Sequence, residues 1–224
     1  MGETLRAHCL IKMKSRNKLK SKKIVDRLKK AYGKEIPLYL NYHKNKPYEF
    51  LFAVMMSAQC TDKRVNIVTR DLYKKYKTLK DFAAVDIFEL EQDIKPVGFY
   101  HNKAINIKKT ANILIEQYGG KVPKNKEDLL RLKGVGNKTT NVVMGHLYNI
   151  PAMAVDTHVN RISNRLFGLN EKNPDRVEEI LKEIVDKKYW VLWNTHIIAF
   201  GREICTAKNP KCENCFLSDL CNNI

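Results

Sequence analysis

From Ile24 onward apolar positions recur every three or four residues, and no stretch sustains strict alternation, so the chain reads as helical almost throughout. Ile24, Val25, Leu28 and Ala31 form a short amphipathic face that Gly33 and Pro37 bring to an end. Pro47 opens a helix carrying Phe50-Leu51-Phe52-Ala53-Val54-Met55-Met56, apolar on every side and therefore a central buried helix. The polarity changes abruptly at Ser57-Ala58-Gln59-Cys60-Thr61-Asp62, a loop surfacing from the core. Val65, Val68, Leu72, Tyr73 and Tyr76 mark the next helix, and a single short helix is expected before the turn Lys95-Pro96-Val97-Gly98-Phe99-Tyr100. Ile107, Ala111, Leu114 and Tyr118 predict a helix closed by Gly119-Gly120, and Asn125 with Asp128 resembles a capping box. Beyond Pro151, Val159, Ile162 and Leu166 predict a helix with Asp156 at its N-cap. Asn173-Pro174 starts another, with Val177, Ile180, Leu181, Ile184 and Val185 inward, and a Trp-bearing helix runs from about Tyr189 to Arg202.

The interruption at Leu132-Lys133-Gly134-Val135-Gly136-Asn137-Lys138 predicts a helix, a tight hairpin and a second helix. Two glycines spaced i, i+2 let the backbone turn where a side chain would clash. Bare N–H groups at the second helix's N-terminus make an anion site that suits a DNA phosphate. Lys138 falls in the first turn, where the positive end of the helix dipole disfavours an ammonium, which suits an amine nucleophile. A plain αα-hairpin with a solvated lysine, or a non-catalytic DNA clamp, would carry the same pattern.

Charge changes the picture. Lys and Arg number 41 against 24 Asp and Glu, a net +17. Residues 1–23 hold eight basic residues and one acid, so +7 sits there and the body keeps +10. A basic folded body implies a polyanionic partner, most simply nucleic acid. The stretch 1–23 itself is expected to be a disordered basic arm. No apolar run approaches the ~20 residues of a membrane span, so no membrane association is expected.

Four of the six cysteines form Cys205-x6-Cys212-x2-Cys215-x5-Cys221, while Cys9 and Cys60 read as ordinary thiols. Such crowding points to metal in a reducing compartment. Tetrahedral zinc and a [4Fe–4S] cluster both fit four thiolates; the single C-x2-C pair favours the cluster. The loop Thr206-Ala207-Lys208-Asn209-Pro210-Lys211 has almost nothing apolar to pack, so the metal is expected to fix its shape and hold Lys208 and Lys211 outward toward phosphates.

Taken in order, Met56-Ser57-Ala58-Gln59, Leu132-Lys133-Gly134-Val135-Gly136-Asn137-Lys138-Thr139, Val155-Asp156-Thr157-His158-Val159, Phe200-Gly201-Arg202 and the four cysteines resemble the endonuclease III family, iron–sulfur DNA glycosylase/AP lyases of the helix-hairpin-helix superfamily. The resemblance runs from about Ile24 to Cys221. It implies an all-α, two-lobed fold: a six-helix barrel over residues 40–150, and a lobe of residues 24–39 plus 151–224 bearing a C-terminal [4Fe–4S] cluster loop held by Cys205, Cys212, Cys215 and Cys221. It also implies excision of oxidised pyrimidines from double-stranded DNA, and cleavage at abasic sites, by a monomer working in the cytoplasm at the nucleoid of a prokaryote or in a eukaryotic nucleus or organelle.

By the same resemblance Lys138 is the nucleophile and Asp156 its partner, a role compatible with capping because the cap hydrogen bonds aim the carboxylate. Gln59 and Phe99 would fill and wedge the base stack around a flipped nucleotide. Lys133, Gly134, Val135 and Gly136 would contact the backbone of the DNA, and Ser57 and His158 would border the pocket. The chain departs from the family at Lys133, where Pro is common, and at Phe99, where the best-known members have Leu. Two other readings stay open: a monofunctional mismatch or alkyl-base glycosylase, which would lack the lysine nucleophile, and a non-catalytic iron–sulfur DNA-binding protein, which would need neither Lys138 nor Asp156.

Overall fold

The computed structural model describes the backbone of residues 2–35 and 39–223 and the side chains of residues 15–35 and 39–223. Its α-helices are α1 (Gly2–Tyr32), α2 (Pro47–Met56), α3 (Asp62–Lys75), α4 (Leu79–Ala84), α5 (Ile87–Ile94), α6 (Tyr100–Tyr118), α7 (Lys126–Arg131), α8 (Asn137–Tyr148), α9 (Thr157–Phe167), α10 (Pro174–Ile184) and α11 (Trp190–Glu203). No strand occurs among the described residues. The chain divides into two compact units, one of Met1–Pro37 with Pro151–Ile224, the other of Leu38–Ile150.

The unit Leu38–Ile150 is built around α2, whose Phe50, Leu51, Phe52, Ala53 and Met56 are no more than 2% exposed. Helices α3, α6 and α8 pack on it. Phe52 meets Phe82 edge-on at 5.0 Å between ring centroids. Each large side chain so buried contributes about 1.5–3 kcal/mol, which makes this apolar run the organising element of the unit.

Between α3 and α6 the chain forms two short helices where the sequence pattern suggested one, because two N-caps compete for the segment. Thr78 and Asp81 make a full capping box for α4. Asp86 then restarts the helix, its side chain accepting from the N–H groups of Phe88 and Glu89. The box expected at Asn125 is half formed. Asn125 Oδ1 accepts from Asp128 N at 2.8 Å. The return bond, however, comes from the Asn125 side-chain amide to Asp128 Oδ2 at 2.7 Å.

In the other unit α1, α9, α10 and α11 enclose Ile24, Leu28, Val159, Ile162, Val177, Leu181, Trp193 and Ile197. Helix α1, Gly2–Tyr32, takes in most of the stretch expected to form a basic arm. Neither glycine nor proline interrupts residues 3–32, and Lys, Arg, Leu and Ala favour the helix intrinsically. Ser21, 3% exposed, further anchors it by donating its hydroxyl hydrogen to Ile184 O. The reading of Cys9 falls outside the described side chains. Cys60 is half-buried against the α2 core.

Candidate catalytic groups and metal centre

The hairpin after α7 turns on Gly134, whose φ of +76° is one that residues bearing a Cβ rarely adopt. A Cβ there would lie 2.7 Å from Asn106 Nδ2 and 2.9 Å from Asn106 Cβ. The turn is thus pressed onto α6, and Thr110 Oγ1 fastens it by donating to Lys133 O at 2.9 Å. Gly136 follows as the N-cap of α8 and offers no side-chain cap. Lys133, Gly134, Gly136 and Lys138 are exposed, so one surface carries a basic residue, an uncapped helix N-terminus and an amine. Val135 turns the other way. Its side chain is 6% exposed and its N–H donates to Leu132 O at 3.2 Å, so it anchors the hairpin.

Asp156 caps α9, Oδ1 accepting from Val159 N at 2.8 Å. The segment leading to it is buried from Ala152 to Val155. Asn194 of α11 donates to Ala154 O at 2.9 Å, which fixes the approach to the cap. The carboxylate is therefore held in place by its own helix while remaining only half-buried.

His158, two residues on, lies where α9 packs against α11. Its Nδ1 is 3.3 Å from Arg161 Nη2, and a Cβ on Gly201 would fall 2.6 Å from the same atom. Gly201 thus lets the two helices touch, and the histidine is packed into that contact. Ser57 spends its hydroxyl hydrogen on Val54 O at 2.8 Å, closing α2. Gln59 and Phe99 share a feature that periodicity does not reveal: both are non-glycine residues with positive φ, +54° and +49°. Phe99 is 65% exposed, a large ring with no core to enter, and Gln59 is exposed on its loop.

All four cysteines of the C-terminal loop border one cavity, floored by Leu166, Phe200, Ile204 and Leu217. No three His, Cys, Asp or Glu side chains among the described residues are gathered as a site for a metal ion. Four thiols around an apolar-floored space suit a cluster that takes one thiolate at each corner. Two sulfurs also have donors: Arg165 Nη1 reaches Cys205 Sγ at 3.3 Å, and Leu217 N reaches Cys215 Sγ at 3.4 Å. Such bonds stabilise thiolates.

The loop between the first two cysteines is held by protein groups as well as by any metal. Arg165 donates to Thr206 O at 2.8 Å and to Ala207 O at 3.0 Å, and Arg161 to Cys205 O at 2.9 Å. Thr206 Oγ1 donates to Asn209 O at 2.6 Å. Nothing in the sequence marks Arg161 and Arg165 as supports of this loop beyond their i, i+4 spacing, which puts them on one face of α9. Lys208 and Lys211 are exposed on the loop so formed.

Comparison with known proteins places these features among relatives. A family model described as the HhH-GPD superfamily base excision DNA repair protein matches residues 52–187, and one described as the iron-sulfur binding domain of endonuclease III matches residues 205–221. The chain is 47% identical over 180 residues to an endonuclease III of Bacillus subtilis, covering 80% of this chain and 82% of that one. It is 38% identical over 205 residues to an endonuclease III of Escherichia coli K12, covering 92% and 96%. A solved non-covalent endonuclease III–DNA complex superposes with a TM-score of 0.86 at 42% identity, covering 92% of this chain and 95% of that one. A trapped covalent endonuclease III–DNA intermediate gives the same score and identity, with 96% of its chain covered.

Proposed function

We propose that this chain, which belongs to the endonuclease III family of HhH-GPD superfamily base excision DNA repair proteins, works through Lys138 as nucleophile and Asp156 as the carboxylate that assists it. The chain is a bifunctional DNA glycosylase and AP lyase that binds DNA and carries a [4Fe–4S] cluster. Its substrates are oxidised pyrimidines and abasic sites in duplex DNA, met by a monomer at the chromosome. The observation that carries it is the hairpin: Gly134 pressed onto α6 and the uncapped Gly136 present Lys138, exposed, in the first turn of α8.

The damaged nucleotide must leave the stack before its sugar can be reached. Gln59 and Phe99, exposed on their loops, fill the gap and part the neighbouring bases. Lys133 and the N–H groups at the start of α8 hold the phosphate backbone. The Lys138 amine then forms a bond to C1′ as the glycosidic C–N bond breaks and the base departs with that electron pair. Asp156 accepts the lysine's proton, or stabilises positive charge on the sugar, its aim set by the cap bond to Val159 N. Opening of the ring gives a Schiff base on Lys138. Loss of the C2′ proton expels the phosphate at C3′ and nicks the strand.

Cys205, Cys212, Cys215 and Cys221 are the proposed ligands of the cluster, whose contribution when bound is to lock the loop on which Lys208 and Lys211 face the phosphates. Borohydride trapping on thymine-glycol and abasic duplexes tests the central assignment. Lys138→Gln binds damaged duplex nearly as the native protein does but yields no covalent adduct. A variant trapped at the native level removes Lys138 from the role.

A further inference from the structure

Lys103 is the buried ammonium that the proposed mechanism leaves without a task. It sits on α6, 7% exposed, with no carboxylate paired to it among the described residues. Its three donor positions go to three main-chain carbonyls: Met56 O at 2.9 Å, Ala58 O at 2.8 Å and Val97 O at 3.0 Å. Met56 ends α2, Ala58 immediately precedes Gln59, and Val97 lies two residues before Phe99. One side chain therefore ties together two loops about forty residues apart in sequence, each containing a non-glycine residue of positive φ.

The arrangement is costly. Desolvation disfavours the charged form and lowers the Lys103 pKa from its ordinary value, partly offset by the neighbouring Cys60. Left-handed backbone at Gln59 and Phe99 disfavours the loop conformations as well. Three hydrogen bonds from a charged donor at 2.8–3.0 Å are strong enough to hold both loops against that strain.

We infer that Lys103 is a positioning residue for DNA distortion, a latch that sets Gln59 and Phe99 at one fixed separation so that both enter the duplex together. The inference rests on the reading that Gln59 and Phe99 engage the duplex. A rigid pair suits a task in which one residue fills the vacated position while the other parts the adjoining step, because ordering the loops before binding removes that entropic cost from the encounter.

The test is stopped-flow fluorescence of a base analogue beside an abasic site, together with affinity for undamaged duplex and thermal unfolding. Lys103→Met keeps the stem and deletes the donors. Its flipping rate falls about tenfold, the loss expected for a charged hydrogen-bond network, while its affinity for undamaged duplex changes less than about threefold. In a Gln59→Ala, Phe99→Ala background the same substitution has no further effect on flipping, because the latch acts only through those side chains.

If Gln59→Ala and Phe99→Ala leave flipping unchanged, the underlying reading fails. If they slow it but Lys103→Met slows it equally with and without them, or not at all, the latch alone fails. Hydrogen exchange on the unsubstituted protein gives a second measurement should Lys103→Met not fold. The amides of Cys60 and Gly98, bonded to Ser57 O at 3.1 Å and Lys95 O at 3.2 Å, exchange through one common opening if the loops are latched. Independent openings overturn the proposal.

Discussion

The two glycines of the hairpin look equivalent in sequence, and the structure separates them sharply. Gly134→Ala places a methyl at φ +76°, where an L-residue is disfavoured by about 1–2 kcal/mol. The same methyl would approach Asn106 Nδ2 to 2.7 Å and its Cβ and Cγ to 2.9 Å, and since Cβ is fixed to the α6 backbone the contact cannot be relieved by a rotamer change alone. Overpacking of this kind costs about 1–3 kcal/mol, so Gly134→Ala destabilises its unit by about 2–5 kcal/mol, a large part of a typical domain's 5–15 kcal/mol. Gly136→Ala meets nothing within 4 Å and has no positive φ; it loses only the N-cap preference for Gly over Ala, about 0.5–1 kcal/mol.

Urea unfolding followed by far-ultraviolet circular dichroism measures both. Tryptophan fluorescence does not suffice, since Trp190 and Trp193 both belong to the other unit. Asn106→Ala in the Gly134→Ala background returns part of the loss, because it removes the Nδ2 and Cγ contacts but leaves the φ strain. Equal costs at the two glycines, or no recovery from Asn106→Ala, would refute the argument that this contact fixes the hairpin.

Asp156→Asn keeps the cap on Val159 N, since Asn caps as well as Asp, so its unfolding midpoint stays close to native while base excision falls by orders of magnitude; full activity would leave Asp156 a cap only. Arg165→Ala removes the donor to Cys205 Sγ and to two loop carbonyls, so iron is lost to a chelator several-fold faster, read from visible absorbance; native kinetics of loss would show that the arginine does not support the centre. Replacing Lys208 and Lys211 together by Ala lowers the log–log salt slope of duplex binding by up to ~0.9 per phosphate contact, with single-turnover cleavage at saturating enzyme unchanged; an unaltered slope places both lysines in solvent.

Much of this protein follows from local rules that a sequence carries openly. The Phe50–Met56 run can only be a buried helix, since no face of it is polar, and α2 is that helix. The caps at Asp156 and Asn173 and the left-handed stop at Gly119 are read from one to four neighbouring residues, and the structure contains each. The all-helical class, the hairpin and the four-cysteine loop belong to the same short-range grammar.

What only the tertiary structure decides is how side chains reach carbonyls of segments remote in sequence, because such bonds leave no period and no spacing. Lys103 resembles any helix lysine until α6 packs against α2 and buries it beneath two loops. Arg161 and Arg165 became supports of the cysteine loop only when α9 was laid beside it. Val135 shares its surroundings in sequence with Gly134 and Gly136, yet it faces the core, since in a turn this tight the three residues cannot all point the same way. Gly134 is indispensable because Asn106, twenty-eight positions earlier, occupies the space a Cβ would need. Local preference selects the helices and their ends; packing of one helix on another selects which polar groups are buried, and desolvation then obliges each of those groups to find its partner.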